Sequence, residues 1–74
     1  MHRHPSLKAL GRNLRRQREK GGFTQEKLGE LAELDPTYIS GIERGIRNPS
    51  VLSLLRIARA LGVTVARLVE GVDS

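Results

Sequence analysis

Thr24-Gln25-Glu26-Lys27-Leu28-Gly29-Glu30-Leu31-Ala32-Glu33-Leu34-Asp35-Pro36-Thr37-Tyr38-Ile39-Ser40-Gly41-Ile42-Glu43-Arg44-Gly45 carries two helix start signals in quick succession. Thr24 is a good N-cap, because its hydroxyl can accept from an amide of the first turn. Gln25 and Glu26 suit that turn, and Leu28, Leu31 and Ala32 form a buried stripe at helical spacing. Asp35 before Pro36 repeats the signal. The carboxylate caps, and the proline takes the first helical position, where its missing N–H costs nothing. The second helix is expected to run to about Arg44, where Gly45 stops it. The stretch therefore reads as two short helices with one tight corner.

At 100° per residue Ile39 and Ile42 lie together with Glu43 beside them, while Thr37, Ser40, Gly41 and Arg44 point the other way. One face suits burial and the other is free to reach base edges, as a helix entering a DNA groove requires. Gly29, inside the first helix, should cost about 1 kcal/mol against alanine. A packing reason is expected there, where the two helices come closest.

The same signals recur on either side. From Ser6 to Lys20 the residues Leu7, Leu10 and Leu14 share a helix face, and Gly21-Gly22 ends it. Gly45-Ile46-Arg47-Asn48-Pro49 reads as a loop. Ser50 then caps a helix whose Leu54, Leu55, Ala58 and Leu61 face one way and which ends at Gly62. Thr64 caps a last short helix with Val65, Leu68 and Val69, closed by Gly71. The expected fold is all-α, a compact five-helix domain over residues 1–74. Residues 1–5 form a flexible basic arm and residues 24–44 a helix-turn-helix.

Such a chain of 74 residues can build only a small core, so a partner subunit would help stabilise it. It has no cysteine, hence no disulfide or thiolate metal site to compensate. No apolar run approaches the ~20 residues of a membrane span, and Met1-His2-Arg3-His4-Pro5 lacks a signal-peptide core. A cytoplasmic protein without membrane contact is expected.

The formal net charge of +5 is unevenly spread. Residues 1–20 hold seven basic side chains against Glu19, and residues 21–74 hold six against seven acidic ones. A basic surface attracts phosphate backbones or anionic membranes without selecting a sequence. A solvated helix face explains the same charge equally well.

Thr24-Gln25-x-x-Leu28, then Tyr38-Ile39-Ser40-Gly41-Ile42-Glu43-Arg44-Gly45 and Pro49, resemble the Cro/repressor (Xre) helix-turn-helix family. The similarity covers the five-helix pattern from about Leu7 to Gly71, including Ala60-Leu61-Gly62-Val63. Leu34-Asp35-x-Thr37-Tyr38-Ile39-Ser40-Gly41-Ile42-Glu43-Arg44 is most similar to the controller proteins of bacterial restriction-modification systems. The resemblance implies double-stranded DNA as partner.

By that resemblance Gln25 would contact a phosphate at the positive end of its helix. Thr37 and Gly41 fall where family members approach bases. Arg44 and Arg47 match basic residues of the controller proteins, and arginine can bind guanine O6 and N7 as a bidentate pair. Pro36, Tyr38, Ser40 and Asn48 complete the expected DNA-contacting set. Glu43 is expected to pair with Arg18 instead. Two departures bear on this set. Glu33 stands at the turn position where the family often has glycine or asparagine for a left-handed conformation, so strain is expected there. Pro36 and Gly41 offer bases no side-chain hydrogen bond, which leaves part of the specificity to DNA shape. Each residue has a plainer reading too. Gln25 could be a surface residue, Arg47 a solvated loop residue, and Tyr38 a packing residue.

No nucleophile–base set, zinc spacing or phosphate-cradling glycine loop occurs, so no enzyme activity, cofactor or small-molecule ligand is expected. His2 and His4 alone make no metal site. One recognition helix covers a short half-site, and specific affinity usually calls for two on a near-palindromic operator. Val63, Val65, Leu68, Val69 and Val72 are more apolar than a short terminal helix easily buries. A homodimer through that helix and the end of the fourth one is expected, as the resemblance to controller proteins and phage repressors also implies; the alternative is that the last helix only closes the monomer core. The leading reading is a sequence-specific transcriptional regulator, of which an autoregulating controller protein is one form. An antitoxin or phage-type repressor, or a coactivator-like module that holds another protein, are the alternatives.

Overall fold

The computed structural model describes residues 4–73 and contains five α-helices: α1 (Pro5–Lys20), α2 (Gln25–Ala32), α3 (Pro36–Glu43), α4 (Val51–Leu61) and α5 (Val65–Leu68). No strand occurs among the described residues. The all-α, five-helix architecture expected from the sequence is present.

Side-chain capping sets the starts. Thr24 accepts from the Lys27 amide, Asp35 from Thr37, Ser50 from Ser53 and Thr64 from Arg67. Each supplies an acceptor to an amide that the helix itself leaves unbonded. α1 starts earlier than the sequence suggests. His4 is its cap, with Nδ1 accepting from the Ser6 amide at 3.3 Å, and Pro5 is its first residue. The expected flexible arm over 1–5 is therefore corrected at His4 and Pro5; its remainder lies outside the described residues.

The core is aliphatic: Leu10, Leu14, Leu28, Ala32, Ile39, Ile42, Ile57, Ala58 and Leu68. α1 lies against α3 and α5, and α2 against α3 and α4. At Gly11 the approach is so close that a Cβ would stand 2.5 Å from the carbonyl oxygens of Ile42 and Glu43. Two helix faces differ from expectation. Leu31 is 46% exposed, because the short α2 meets α4 through Leu28 and Ala32 and leaves Leu31 beside Arg56, Arg59 and Ala60. In α4 the fully buried residue is Ile57, which the expected face omitted, while Leu55 lies off the core.

The corner between α2 and α3 is built on Glu33, whose φ of 58° is left-handed. Its neighbour Leu34 donates its amide to the Gly29 carbonyl at 2.8 Å, so the reversal closes as a six-residue cap. A Cβ on Gly29 would come within 2.6 Å of the Leu34 oxygen. The same Cβ would stand 3.4 Å from Pro36, so the packing reason for this glycine is the corner together with the first residue of α3.

One ion pair crosses the domain. Arg18 donates through Nε to Glu43 Oε2 at 2.6 Å and through Nη2 to Oε1 at 3.0 Å, with side chains 11% and 4% exposed. These bonds hold the Arg18 guanidinium more basic than usual. Its Nη1 also donates to the Phe23 carbonyl at 2.8 Å. The pair expected from the resemblance is therefore present.

Removing one partner of a buried pair typically costs 3–5 kcal/mol, against roughly 0.5 for an exposed i,i+4 pair. Arg18→Ala should lower the thermal midpoint far more than Arg15→Ala, which loses only the exposed bond to Glu19; equal midpoints would refute a structural role for the pair. Glu33→Asn should raise stability by up to about 1 kcal/mol, because asparagine tolerates the left-handed region better. Chemical denaturation reads this directly, and an unchanged or lowered stability would show that Glu33 is not strained.

Candidate nucleic-acid interface

α3 turns Ile39 and Ile42 into the core, so the opposite side with its flanking loops is the exposed surface. Asp35, Pro36, Thr37 and Arg44 are exposed along it, and Tyr38 and Ser40 are half-buried. At the start, Asp35 Oδ1 accepts from the Thr37 amide at 2.8 Å and from the Thr37 hydroxyl at 2.6 Å. Both bonds hold the Asp35 carboxyl below the ordinary carboxylate range, so it stays ionised at neutral pH. The Thr37 methyl and remaining lone pairs are thereby fixed in orientation. Asp35 had been read from the sequence as a cap alone. It is also an exposed anion at the tip of α3, able to accept from cytosine N4 and repulsive to phosphate.

α2 begins differently. Its cap is the neutral Thr24, with Glu26 in the first turn. Gln25, its first residue, donates Nε2 to Glu43 Oε1 at 3.1 Å. The glutamine is half-buried and oriented, not a free surface residue. One Nε2 hydrogen remains to bind a phosphate. Glu43 thus fixes Arg18 of α1 and Gln25 of α2 at the end of α3.

Gly41 requires correction. Expected on the outer face, it is buried, because the side chain of Arg47 lies across it. A Cβ at Gly41 would collide with Arg47 Cγ. From there the Arg47 guanidinium carbon stands 6.0 Å from the centre of the Tyr38 ring, within cation–π range. Arg47 is consequently laid along α3 rather than simply solvated. Asn48 follows it, exposed in the same loop.

The Tyr38 hydroxyl donates to Ser53 Oγ of α4 at 3.3 Å, and Ser50 Oγ also donates to Ser53 Oγ, at 3.0 Å. This contact, which the sequence did not suggest, ties the first turn of α3 to the first turn of α4. It gives Tyr38 a packing role; the phenol oxygen still has lone pairs to offer.

The expected dimer surface divides. Leu68 has no exposed area and belongs to the monomer core, so its place in an intersubunit contact is corrected. Its burial is reinforced by Asn13 Nδ2, which donates to the carbonyls of Leu68 and Glu70 at 2.8 Å each and ties the end of α5 to α1. Val63, Val65, Val69 and Val72 are half-buried at the edge of that core. The exposed cations Arg12, Arg16 and Lys20 stand on the outer side of α1, away from the face that Gly11 and Leu14 bury, while Lys8 lies against Gly45 beyond the end of α3.

Comparison with known proteins places this geometry. A helix-turn-helix family profile matches residues 14–68. The chain is 41% identical over 66 residues to the uncharacterized HTH-type transcriptional regulator y4dJ of Sinorhizobium fredii, covering 89% of this chain and 86% of the relative. Its structure is similar to that of the restriction-modification controller protein C.AhdI from Aeromonas hydrophila, with a TM-score of 0.82, 40% identity and coverage of 84% and 94% of the two chains. It is also similar to SinR, a master regulator for biofilm formation, in complex with DNA. There the TM-score is 0.79 and the identity 31%, with 82% of this chain and 98% of that one covered.

Because Arg47 occupies the space that Gly41 leaves, the two should act as one unit. Gly41→Ala should leave folding stability within about 1 kcal/mol, since alanine favours the helix, yet weaken binding to duplex DNA as Arg47→Ala does. The double variant should lose no more than either single one; additive losses would separate the two residues.

Proposed function

The chain belongs to the helix-turn-helix family, in its Cro/repressor (Xre) type, and from that premise we propose that it binds a near-palindromic operator as a homodimer. It is a DNA-binding transcriptional regulator. In the proposed mode α3 enters the major groove. Gln25 holds a phosphate with its free Nε2 hydrogen, while Thr37, Arg44 and Arg47 approach base edges and neighbouring phosphates. Pro36 and Ser40 contribute surface rather than hydrogen-bond readout, and Tyr38 and Asn48 flank the backbone. The whole described chain serves as one DNA-binding domain, with no enzyme activity.

The observation that carries this reading is the placement of Gln25 by Glu43 at 3.1 Å. A glutamine amide held at a helix N-terminus, beside the outer side of α3 with the exposed Arg44 and Arg47, is a preformed surface for a polyanion. Phosphate contacts of this kind set register, and the arginines then supply discrimination of roughly 1–3 kcal/mol per bidentate guanine contact. Two α3 helices on one operator multiply that discrimination. Similarity to C.AhdI supports a restriction-modification controller, whose effect would vary with its own concentration. No described helix is long and apolar enough to cross a membrane, and a cytoplasmic location accords with the reading.

The test is selection of bound sequences from a random duplex library at about 150 mM salt, where non-specific binding is much weakened. An enriched inverted repeat is the expected result; absence of enrichment would overturn sequence-specific binding. On the enriched site Arg44→Ala should relax preference at one base position, and a uniform loss of affinity would make Arg44 a phosphate contact instead.

A further inference from the structure

Arg12, Arg16 and Lys20 follow one another at every fourth residue of α1, and all three are exposed. They form a ridge of about 12 Å along the helix, at 1.5 Å per residue. Among the described residues Arg12 and Lys20 have no ion pair or side-chain hydrogen bond, and Arg16 has only the neutral Asn13 Oδ1, at 3.3 Å. The nearby carboxylates do not neutralise the ridge. Glu19 pairs with Arg15, and Glu70, whose carbonyl Asn13 binds, makes no ion pair.

At Lys20 the ridge reaches a groove of about 450 Å³ between the end of α1 and the turn from α4 to α5. Half-buried Leu61 and Val63 make part of its lining apolar. Gln17 adds an amide and Arg67 of α5 a second exposed cation, and neither side chain has a partner among the described residues. No acidic residue lines the groove. We infer that ridge and groove together dock an acidic, amphipathic segment of another protein, its carboxylates along Arg12, Arg16, Lys20 and Arg67 and an apolar side chain against Leu61 and Val63. The inference goes beyond the DNA-binding reading and does not rest on it.

Position separates this surface from the DNA-facing one. α1 meets the end of α3 through Gly11 and Arg18, and Arg16 lies roughly 140° round the helix from Gly11. A duplex held by α3 therefore leaves the ridge uncovered. Chemistry selects the occupant. A phosphate backbone would use the cations and leave Leu61 and Val63 unused, whereas an acidic amphipathic segment uses both. Carboxylates at every fourth residue of a partner helix repeat the spacing of the ridge, so the two can meet in register. A small anion filling the groove alone would leave Arg12 and Arg16 without a partner. A second copy of the same surface is excluded by like charge.

The probe is a synthetic helical peptide with glutamates four residues apart and leucines on the adjoining face, added to the full chain and followed by the chain's amide chemical shifts. Shifts should move at Gln17, Lys20 and Arg67 and stay in place at Gln25, Thr37 and Arg47. A peptide of the same composition in scrambled order should bind more weakly. Lys20→Ala with Arg67→Ala should weaken binding about tenfold. Arg56→Ala with Arg59→Ala, which removes equal charge elsewhere, should bind as the wild type does; the amide spectrum of each variant checks its fold. Equal weakening by the two double variants would reduce the contact to net charge and overturn the site. Shifts centred on Gln25 and Thr37 would put the peptide on the DNA-facing surface and overturn it as well. So would the absence of any shift, or a non-operator duplex that moves Arg12, Arg16 and Lys20 more than the peptide does, which would give the ridge to a second duplex. Each of these outcomes leaves operator binding through α3 standing.

Discussion

Glu43 is a carboxylate whose side chain keeps 4% of its exposure, at the end of a helix that closes an aliphatic core. An ion in that position is tolerated only if its oxygens are fully engaged. Two Arg18 nitrogens and the Gln25 amide provide the engagement, and the third Arg18 nitrogen donates to the Phe23 carbonyl. α1, the turn after it, α2 and α3 are therefore held in one relative arrangement. A hydrophobic substitute could match the pair in stability but could not fix the Gln25 amide. The same carboxylate thus serves both the fold and the orientation of the candidate DNA surface.

The helices could be read from the sequence because their caps are local. Thr24, Asp35, Ser50 and Thr64 each accept from an amide two or three residues ahead, so the signal and its partner lie within one turn. The differences have non-local causes. Periodicity tells which residues share a side of a helix, but not how far the neighbouring helix reaches. Leu31 was therefore expected inside and stands outside, and Ile57 was overlooked. Asn13 bonds to Leu68 and Glu70 across most of the chain, and nothing near residue 13 announces it. Leu68 accordingly looked available to a partner when the monomer already held it.

The candidate site divides in the same way. That Thr37 and Arg44 share the outer side of α3 follows from helix geometry alone. That Gly41 is covered does not, because it depends on the path of the loop after Gly45. The loop returns Arg47 across α3, and only a residue without a Cβ admits it. The apparent loss of a contact at Gly41 is therefore an exchange. A helix position surrenders its own side chain to a longer, charged one that arrives from outside the helix.

The two helix starts near this surface complete its electrostatics. α2 is capped by the neutral Thr24 and carries Glu26 in its first turn, while Asp35 places a carboxylate at the cap of α3 itself, held below the ordinary carboxylate range by two bonds from Thr37. A phosphate is thus disfavoured at the tip of α3, whereas the Gln25 amide at the start of α2 offers it a donor. On a duplex this difference opposes any register in which a phosphate meets the α3 tip, and favours one with the backbone at Gln25 and the groove floor at Asp35 and Thr37. Arginines alone would attract the duplex in many registers. The carboxylate at the helix start narrows them, so the negative charge contributes to orientation by what it repels.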